Sequence, residues 1–252
     1  MSDGLEYAGS AASLGGAGEK DFYRDEGTLW LFKPAVTKFG RRRSKPFCAA
    51  ISQAWSEVAA MVLPYEHIPV VMVELRGQVG TLQPVLELDP QRPDLDDAED
   101  RETLLREHVI DWLLSQHDSH VDNFIRRKAD GQLLGIDKEQ CCRYLGRDEL
   151  STSYAPNTRS YGMDPPLYNE LWQRWAGGEY ELDFGVVWRT IGLVEAIDSL
   201  AYEALVRPYA EQRHPESPLR ARRLLEAILG RREGLRRDFE EFIGELQRRR
   251  AA

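Results

Sequence analysis

Large apolar residues crowd the run Thr28-Leu29-Trp30-Leu31-Phe32-Lys33 between Gly27 and Pro34, which predicts a strand with Lys33 at its end. From Phe47 to Leu63 the apolar positions Ile51, Trp55, Val58, Ala59 and Val62 recur at helical spacing, and Pro64 stops the helix. Ile68 to Leu75 and Thr81 to Leu88 are β-rich runs separated by Arg76-Gly77-Gln78-Val79-Gly80, an antiparallel pair joined by a glycine-containing loop. Leu104, Leu105, Val109, Trp112 and Leu113 restore helical spacing over Glu102 to Leu114. Two short apolar pieces then flank Lys128-Ala129-Asp130-Gly131 as in a small hairpin, and helical regions over Val186 to Tyr209 and Pro218 to Arg249 close the chain.

The stretches without periodicity divide these elements. Residues 1 to 20 mix Gly, Ala and Ser and predict a flexible N-terminus, with Gly15, Gly16 and Gly18 as a possible glycine-rich loop. Asp89 to Arg101 is acidic and punctuated by proline, a connection and a lobe boundary. Residues 21–90 then form a small sheet-bearing lobe and 91–252 a helical one. Leu145 to Pro166 reads as a long functional loop, rich in hydroxyl side chains from Ser151 to Tyr161.

Composition narrows the class without naming it. With 252 residues, 42% hydrophobic and 30% charged, the chain can build a sizeable core. A formal charge of −9 argues against nucleic acid or an anionic membrane surface as the partner. Cys48, Cys141 and Cys142 make neither a disulfide framework nor a zinc spacing, and reduced thiols fit a cytoplasmic protein. No apolar run reaches the length of a membrane span.

The candidate chemistry lies in His117-Asp118-Ser119-His120-Val121-Asp122-Asn123 and, past the hairpin turn, Gly135-Ile136-Asp137-Lys138-Glu139. Phosphoryl transfer requires an oriented acceptor hydroxyl and Mg²⁺ held by hard oxygen ligands. Asp118 has the chemistry to accept the acceptor proton, and Asn123 and Asp137 supply metal-binding oxygens. Two other readings stand beside this one: a polar turn, the usual employment of Asp and Asn, and a zinc-type cluster of His117, His120 and Asp122. A literal Asp183-Phe184-Gly185 lies too far beyond Asn123 to serve the same loop, and Asp183 reads as the N-cap of the following helix.

Asp118-x-His120-x-x-Asn123 with Ile136-Asp137 resembles the catalytic and metal-binding loops of the phosphoinositide-kinase-like branch of the protein-kinase-like superfold, which includes actin-fragmin kinase and HipA-type kinases. It is also similar to aminoglycoside phosphotransferases. Leu31-Phe32-Lys33-Pro34 resembles the lysine-bearing strand, Ser56-Glu57-Val58-Ala59-Ala60 the helix whose glutamate pairs with that lysine, and Gly80 to Leu88 the strand entering the adenine-contacting hinge. The resemblance implies an α+β, two-lobed fold: a small antiparallel-sheet N-lobe with one helix and a mainly helical C-lobe. It implies ATP and Mg²⁺ as cofactors, with Asp118 catalytic, His120 bracing its loop, and Asn123 and Asp137 as metal ligands. Lys33 would contact phosphate, Glu57 would pair with it, and Gly15, Gly16, Gly18, Glu87 and Leu88 would contact nucleotide. The acceptor would be a hydroxyl, on a protein or peptide or else on a small molecule of aminoglycoside type; a nucleotide-binding pseudokinase scaffold is the non-enzymatic alternative. The pattern departs from the family where Lys138-Glu139 replaces the Phe-Gly that follows the metal aspartate.

Overall fold

The computed structural model describes residues 4–11, 19–36, 45–65, 67–155 and 165–251. Five strands form the N-terminal antiparallel sheet: β1 (Glu6–Ser10), β2 (Asp21–Asp25), β3 (Thr28–Pro34), β4 (Val71–Leu75) and β5 (Gln78–Pro84), in the order β1-β2-β3-β5-β4. Alternation along β3 puts Trp30 and Phe32 on one face and Leu31 and Lys33 on the other. Phe32 packs with Tyr23, Leu75 and Leu82 into a small core on the first face. Lys33 lies opposite Thr81 in the β3–β5 register, on the second.

Besides the later start of β4 at Val71, the sheet region differs from the sequence expectation in three places. Arg76 and Gly77 both have positive φ, 52° and 72°, so they close a two-residue hairpin and β5 begins at Gln78 rather than Thr81. The strand ends at Pro84, which has no N–H to donate, and Leu88 passes into a second sheet. The N-terminus is the third: Glu6–Ser10, expected to be flexible, pairs with β2 through a bulge between Tyr7 and Gly9. Its side chains are mostly exposed, so no apolar alternation announced it, although Tyr7 stacks edge-on against Tyr23 at 5.8 Å. Gly15, Gly16 and Gly18 lie outside the described residues.

Gly80 sits inside β5, where a Cβ would run into the Lys33 carbonyl oxygen and come within 2.7 and 2.8 Å of the Phe32 ring. Neither the backbone oxygen nor the packed ring can withdraw cheaply. Gly80→Ala is therefore expected to lower stability by roughly 1–3 kcal/mol, the usual cost of overpacking, read as a fall in urea midpoint at unchanged m-value.

Helix α1 (Pro46–Val62) begins with Pro46 in its first turn and ends before Pro64. It follows β3 in sequence and bridges sheet and helical lobe: Gln53 accepts the Met72 N–H of β4 and the Ser56 hydroxyl donates to the Ile68 carbonyl. Ile51, Trp55 and Val58 join Leu104, Leu113 and Trp172 in the large core of the helical lobe, and Phe47 meets Tyr209 edge-on at 6.2 Å. That lobe comprises α2 (Ala98–Leu113), α3 (Leu167–Ala176), α4 (Phe184–Ala196), α5 (Ser199–Arg213) and α6 (Pro218–Arg250). Asp97, Asp183, Asp198 and Ser217 cap the N-termini of α2, α4, α5 and α6 through their side-chain oxygens. The cap at Asp97 starts α2 four residues before the expected Glu102, and the cap at Asp198 divides the predicted Val186–Tyr209 helix in two. Among the described residues, no helix is long and apolar enough to cross a membrane.

Candidate active site

The site is built on a second, three-stranded antiparallel sheet, β6 (Leu88–Asp89), β7 (Phe124–Arg127) and β8 (Leu133–Gly135). An acidic stripe on α2 anchors it. Asp100, Glu107 and Asp111 are all buried, and each reaches a different part of the loops. Asp100 binds Arg126 of β7 at 2.6 Å, Glu107 accepts the Gly135 N–H at 3.2 Å, and Asp111 accepts the Ser119 hydroxyl at 2.5 Å. Buried carboxylates are stable only when so paired and hydrogen-bonded. The apolar periodicity of α2 was legible in the sequence. The stripe is a separate signal, acidic residues at helical spacing on a face that the same helix buries.

Pairing of Phe124 with Gly135 brings Asn123 and the residues after β8 to the same end of the hairpin, and Ile136 N–H donates to the Asn123 carbonyl at 2.8 Å. The Asn123 amide nitrogen donates to the Asp118 carbonyl, closing the loop on itself. That leaves the Asn123 side-chain oxygen as the atom that could bind a metal. His120 Nε2 stands 3.9 Å from Asp118 Oδ1. Asp137 adopts the left-handed conformation, φ 60° and ψ 50°, uncommon for a residue with a side chain. Gln116 Nε2 supports it from the loop side by donating to its carbonyl at 3.1 Å. From the sheet side, Lys33 Nζ reaches its carboxylate at 3.4 Å.

Lys33, Thr81 and Gln83 of the sheet, Ser52 and Trp55 of α1, and Gly135 to Glu139 line the cleft between these parts. The space there is ≈ 30 Å³, room for a water or two.

The expected pairing of Glu57 with Lys33 is not what the structure contains. Glu57 accepts from Gln53 Nε2 at 2.6 Å and, with Gln53, Met72 and Glu74, borders a different pocket. The reason is helical phase: Ser52 and Trp55 occupy the cleft face of α1, and Glu57 projects from another. Glu139, to which no role was assigned from sequence, is the other acidic side chain besides Asp137 on the cleft wall. Glu87 and Leu88 lie at the crossing between the sheets. The Glu87 carbonyl accepts the Lys128 N–H at 2.9 Å, and Leu88 pairs with Arg127.

The histidines do not converge as a zinc cluster would require. His117 Nε2 lies 3.0 Å from Asp148, while Asp122 meets Arg92 at 2.8 Å. Among the described residues no group of three or more His, Cys, Asp or Glu side chains could hold a metal by itself. The mixed Asn123–Asp137 oxygen pair fits Mg²⁺ better, since that ion keeps several waters and takes few protein carboxylates. Asp148 also receives Arg231 of α6 at 2.6 Å. Burial alone would raise its carboxyl, yet hydrogen bonds from His117 and Arg231 hold it well below the usual carboxylate range. Arg231 lies in the arginine-rich sequence of α6. Its side chain is 9% exposed, its guanidinium stacks on Trp112 at 3.9 Å, and it ties the C-terminal helix to the residue before Asp118 by way of Asp148 and His117.

These features define a two-lobed, kinase-like α+β fold: an antiparallel five-stranded N-terminal sheet, a mainly helical C-terminal region and a loop cluster between them. The chain is similar to the crystal structure of a Helicobacter pylori proinflammatory kinase, CtkA, with a TM-score of 0.53 and 12% sequence identity over 90% of this chain and 93% of that one. No family model matches the sequence, and neither does any curated protein.

Proposed function

We propose that the protein is an ATP- and Mg²⁺-dependent phosphotransferase acting on a hydroxyl acceptor. The observation that carries this reading is the meeting of Lys33 with Asp137 at 3.4 Å across the cleft, on a loop hydrogen-bonded to Asn123. Residues 104 positions apart in sequence thus bring together a cation for phosphate and a carboxylate for a metal. Asn123 and Asp137 would hold Mg²⁺, which neutralises charge on the phosphates when bound. Asp118 would orient the acceptor hydroxyl and take its proton, while Lys33 would draw the phosphate chain toward the sheet.

For the acceptor we favour a protein or peptide. A groove of ≈ 560 Å³ begins at Val121 in the catalytic loop and is lined by apolar residues, Pro165, Pro166 and Leu167, and by Thr152, Ser153, Asn169, Glu170 and Gln173. Its mixed lining with a single carboxylate suits an extended chain better than a compact polycation requiring a dense acidic wall.

The test is transfer of labelled γ-phosphoryl from ATP with and without Mg²⁺, using wild type and Lys33→Met. Wild type is expected to transfer only with Mg²⁺, and Lys33→Met to bind MgATP at least about tenfold more weakly, the loss of one charge-assisted contact. Equal binding and turnover by the two proteins would remove Lys33 from the site.

A further inference from the structure

We infer that Lys138 is the positioning residue of the candidate metal site: its buried ammonium, held by Asp111 and Glu107, fixes the preceding Asp137 in its left-handed conformation. The inference rests on the phosphotransferase reading for its consequence, but its geometric content stands on the fold alone. Lys138 is among the residues that line the cleft, yet its side chain is only 6% exposed. Its Nζ lies 2.8 and 2.9 Å from the two Asp111 oxygens, 3.2 Å from Glu107 Oε2 and 4.4 Å from the centre of the Trp55 ring. Four such contacts hold the head group in place.

The same carboxylates also hold parts of α1, the catalytic loop, β8 and α3. Asp111 also accepts from Trp55 Nε1 of α1 at 2.8 Å, from Ser119 of the catalytic loop at 2.5 Å and from Tyr168 of α3 at 2.8 Å. Glu107 accepts from Gly135, the last residue of β8, at 3.2 Å. Lys138 thereby ties the residue after Asp137 to the loop carrying Asp118 and to the helix beneath the sheet. Its own backbone can scarcely move without breaking these bonds.

Stability alone does not explain the arrangement. A buried ion set is often no more stabilising than apolar residues of the same volume, and the surroundings here, Trp55 and Phe124, would accommodate one. An apolar side chain at position 138 would fill the space without fixing direction. The left-handed conformation of Asp137 costs free energy and persists only where its surroundings impose it. Gln116 restrains it on one side, and the Lys138 anchor restrains it on the other. The absence of a side chain at Gly135 belongs to the same device, because a Cβ there would come within 2.6 Å of Glu107 Oε2 and 2.8 Å of Lys138 Nζ.

Two variants test this, Lys138→Met, which removes the charge, and Gly135→Ala, which displaces the network and keeps it. Ile228→Ala, in the core of α6 and fully buried, serves as a destabilised control remote from the cleft. Amide hydrogen exchange over residues 135–140 is measured without nucleotide, and ATP affinity is measured with and without Mg²⁺. Both site variants are expected to exchange at least about tenfold faster in that segment and to lose about tenfold or more of the Mg²⁺ enhancement, as removal of a metal ligand's support does elsewhere. The control should lose stability and keep both. If Lys138→Met or Gly135→Ala loses only melting temperature, with exchange and Mg²⁺ response like those of Ile228→Ala, the positioning role is overturned. Should Lys138→Met not fold, Gly135→Ala decides. A wild type without any Mg²⁺ enhancement would defeat the phosphotransferase reading, and the exchange result, read without nucleotide, would still decide whether Lys138 holds the loop.

Discussion

Asp118→Ala is expected to lower phosphoryl transfer by roughly 10²–10⁴-fold while leaving MgATP affinity nearly unchanged, because a positioned acid–base group contributes on that scale to chemistry rather than to binding. Asp137→Ala should fail differently. Its carboxylate faces Lys33 at 3.4 Å, so its loss removes both a metal oxygen and the charge that places the lysine, and Mg²⁺-dependent ATP binding should fall together with turnover. Single-turnover kinetics with separate nucleotide titrations distinguish the two. Parallel losses of stability and binding in both variants, without a distinct defect in transfer, would mean that the residues only hold a turn.

The second large effect concerns stability and pH. His108 is buried beneath Tyr168, whose ring stacks on it at 4.3 Å, and its Nδ1 accepts from Trp172 Nε1 at 3.0 Å. Burial drives its pKa down to about 3 from the ordinary 6.5, so the folded protein keeps it neutral where the unfolded chain would charge it. Stability from this group is complete above about pH 6.5 and is lost as pH falls toward 3, at ~1.4 kcal/mol per pH unit over that window. Asp148 has the same sign but begins only below its ordinary 3.8. Glu107 acts in the opposite sense, since burial raises its carboxyl and its protonation favours the fold. The readout is therefore the difference between proteins. His108→Phe should be less stable at pH 7, where Trp172 loses its acceptor, and flatter than wild type from pH 6 to 4 in urea midpoint. Equal slopes would show that His108 does not control the acid limb.

Wherever one periodicity ruled a segment, the fold could be read from the chain. The apolar stripe of α1, the β3 strand ending at Lys33 and the hairpin around Gly131 all form within a few residues of their expected places. The loops were legible because Asp118, Asn123 and Asp137 keep a spacing that the β7–β8 pairing converts into proximity. What escaped depends on partners remote in sequence. The strand Glu6–Ser10 has mostly exposed side chains without apolar alternation and is held by its pairing with β2 and the packing of Tyr7 on Tyr23. Glu57 was assigned by its position in a motif, whereas the rotation of α1 against the helical core decides which side chains face the cleft. Lys138 and Arg231 are long cations that sequence statistics place at the surface, and both are buried because carboxylates from other elements await them. A sequence shows such a charge but not its partner.

The central claim is most directly tested by the melting temperature of the wild-type protein in a titration of ATP at fixed Mg²⁺, with Mg²⁺ omitted in a parallel series. A ligand that binds only the folded state adds about 2.7 kcal/mol of stability at a hundredfold excess over its dissociation constant. A concentration-dependent rise that requires both ATP and Mg²⁺, kept by Asp118→Ala and largely lost in Asp137→Ala, is the predicted result. A wild-type melting temperature that does not move at millimolar MgATP would contradict it.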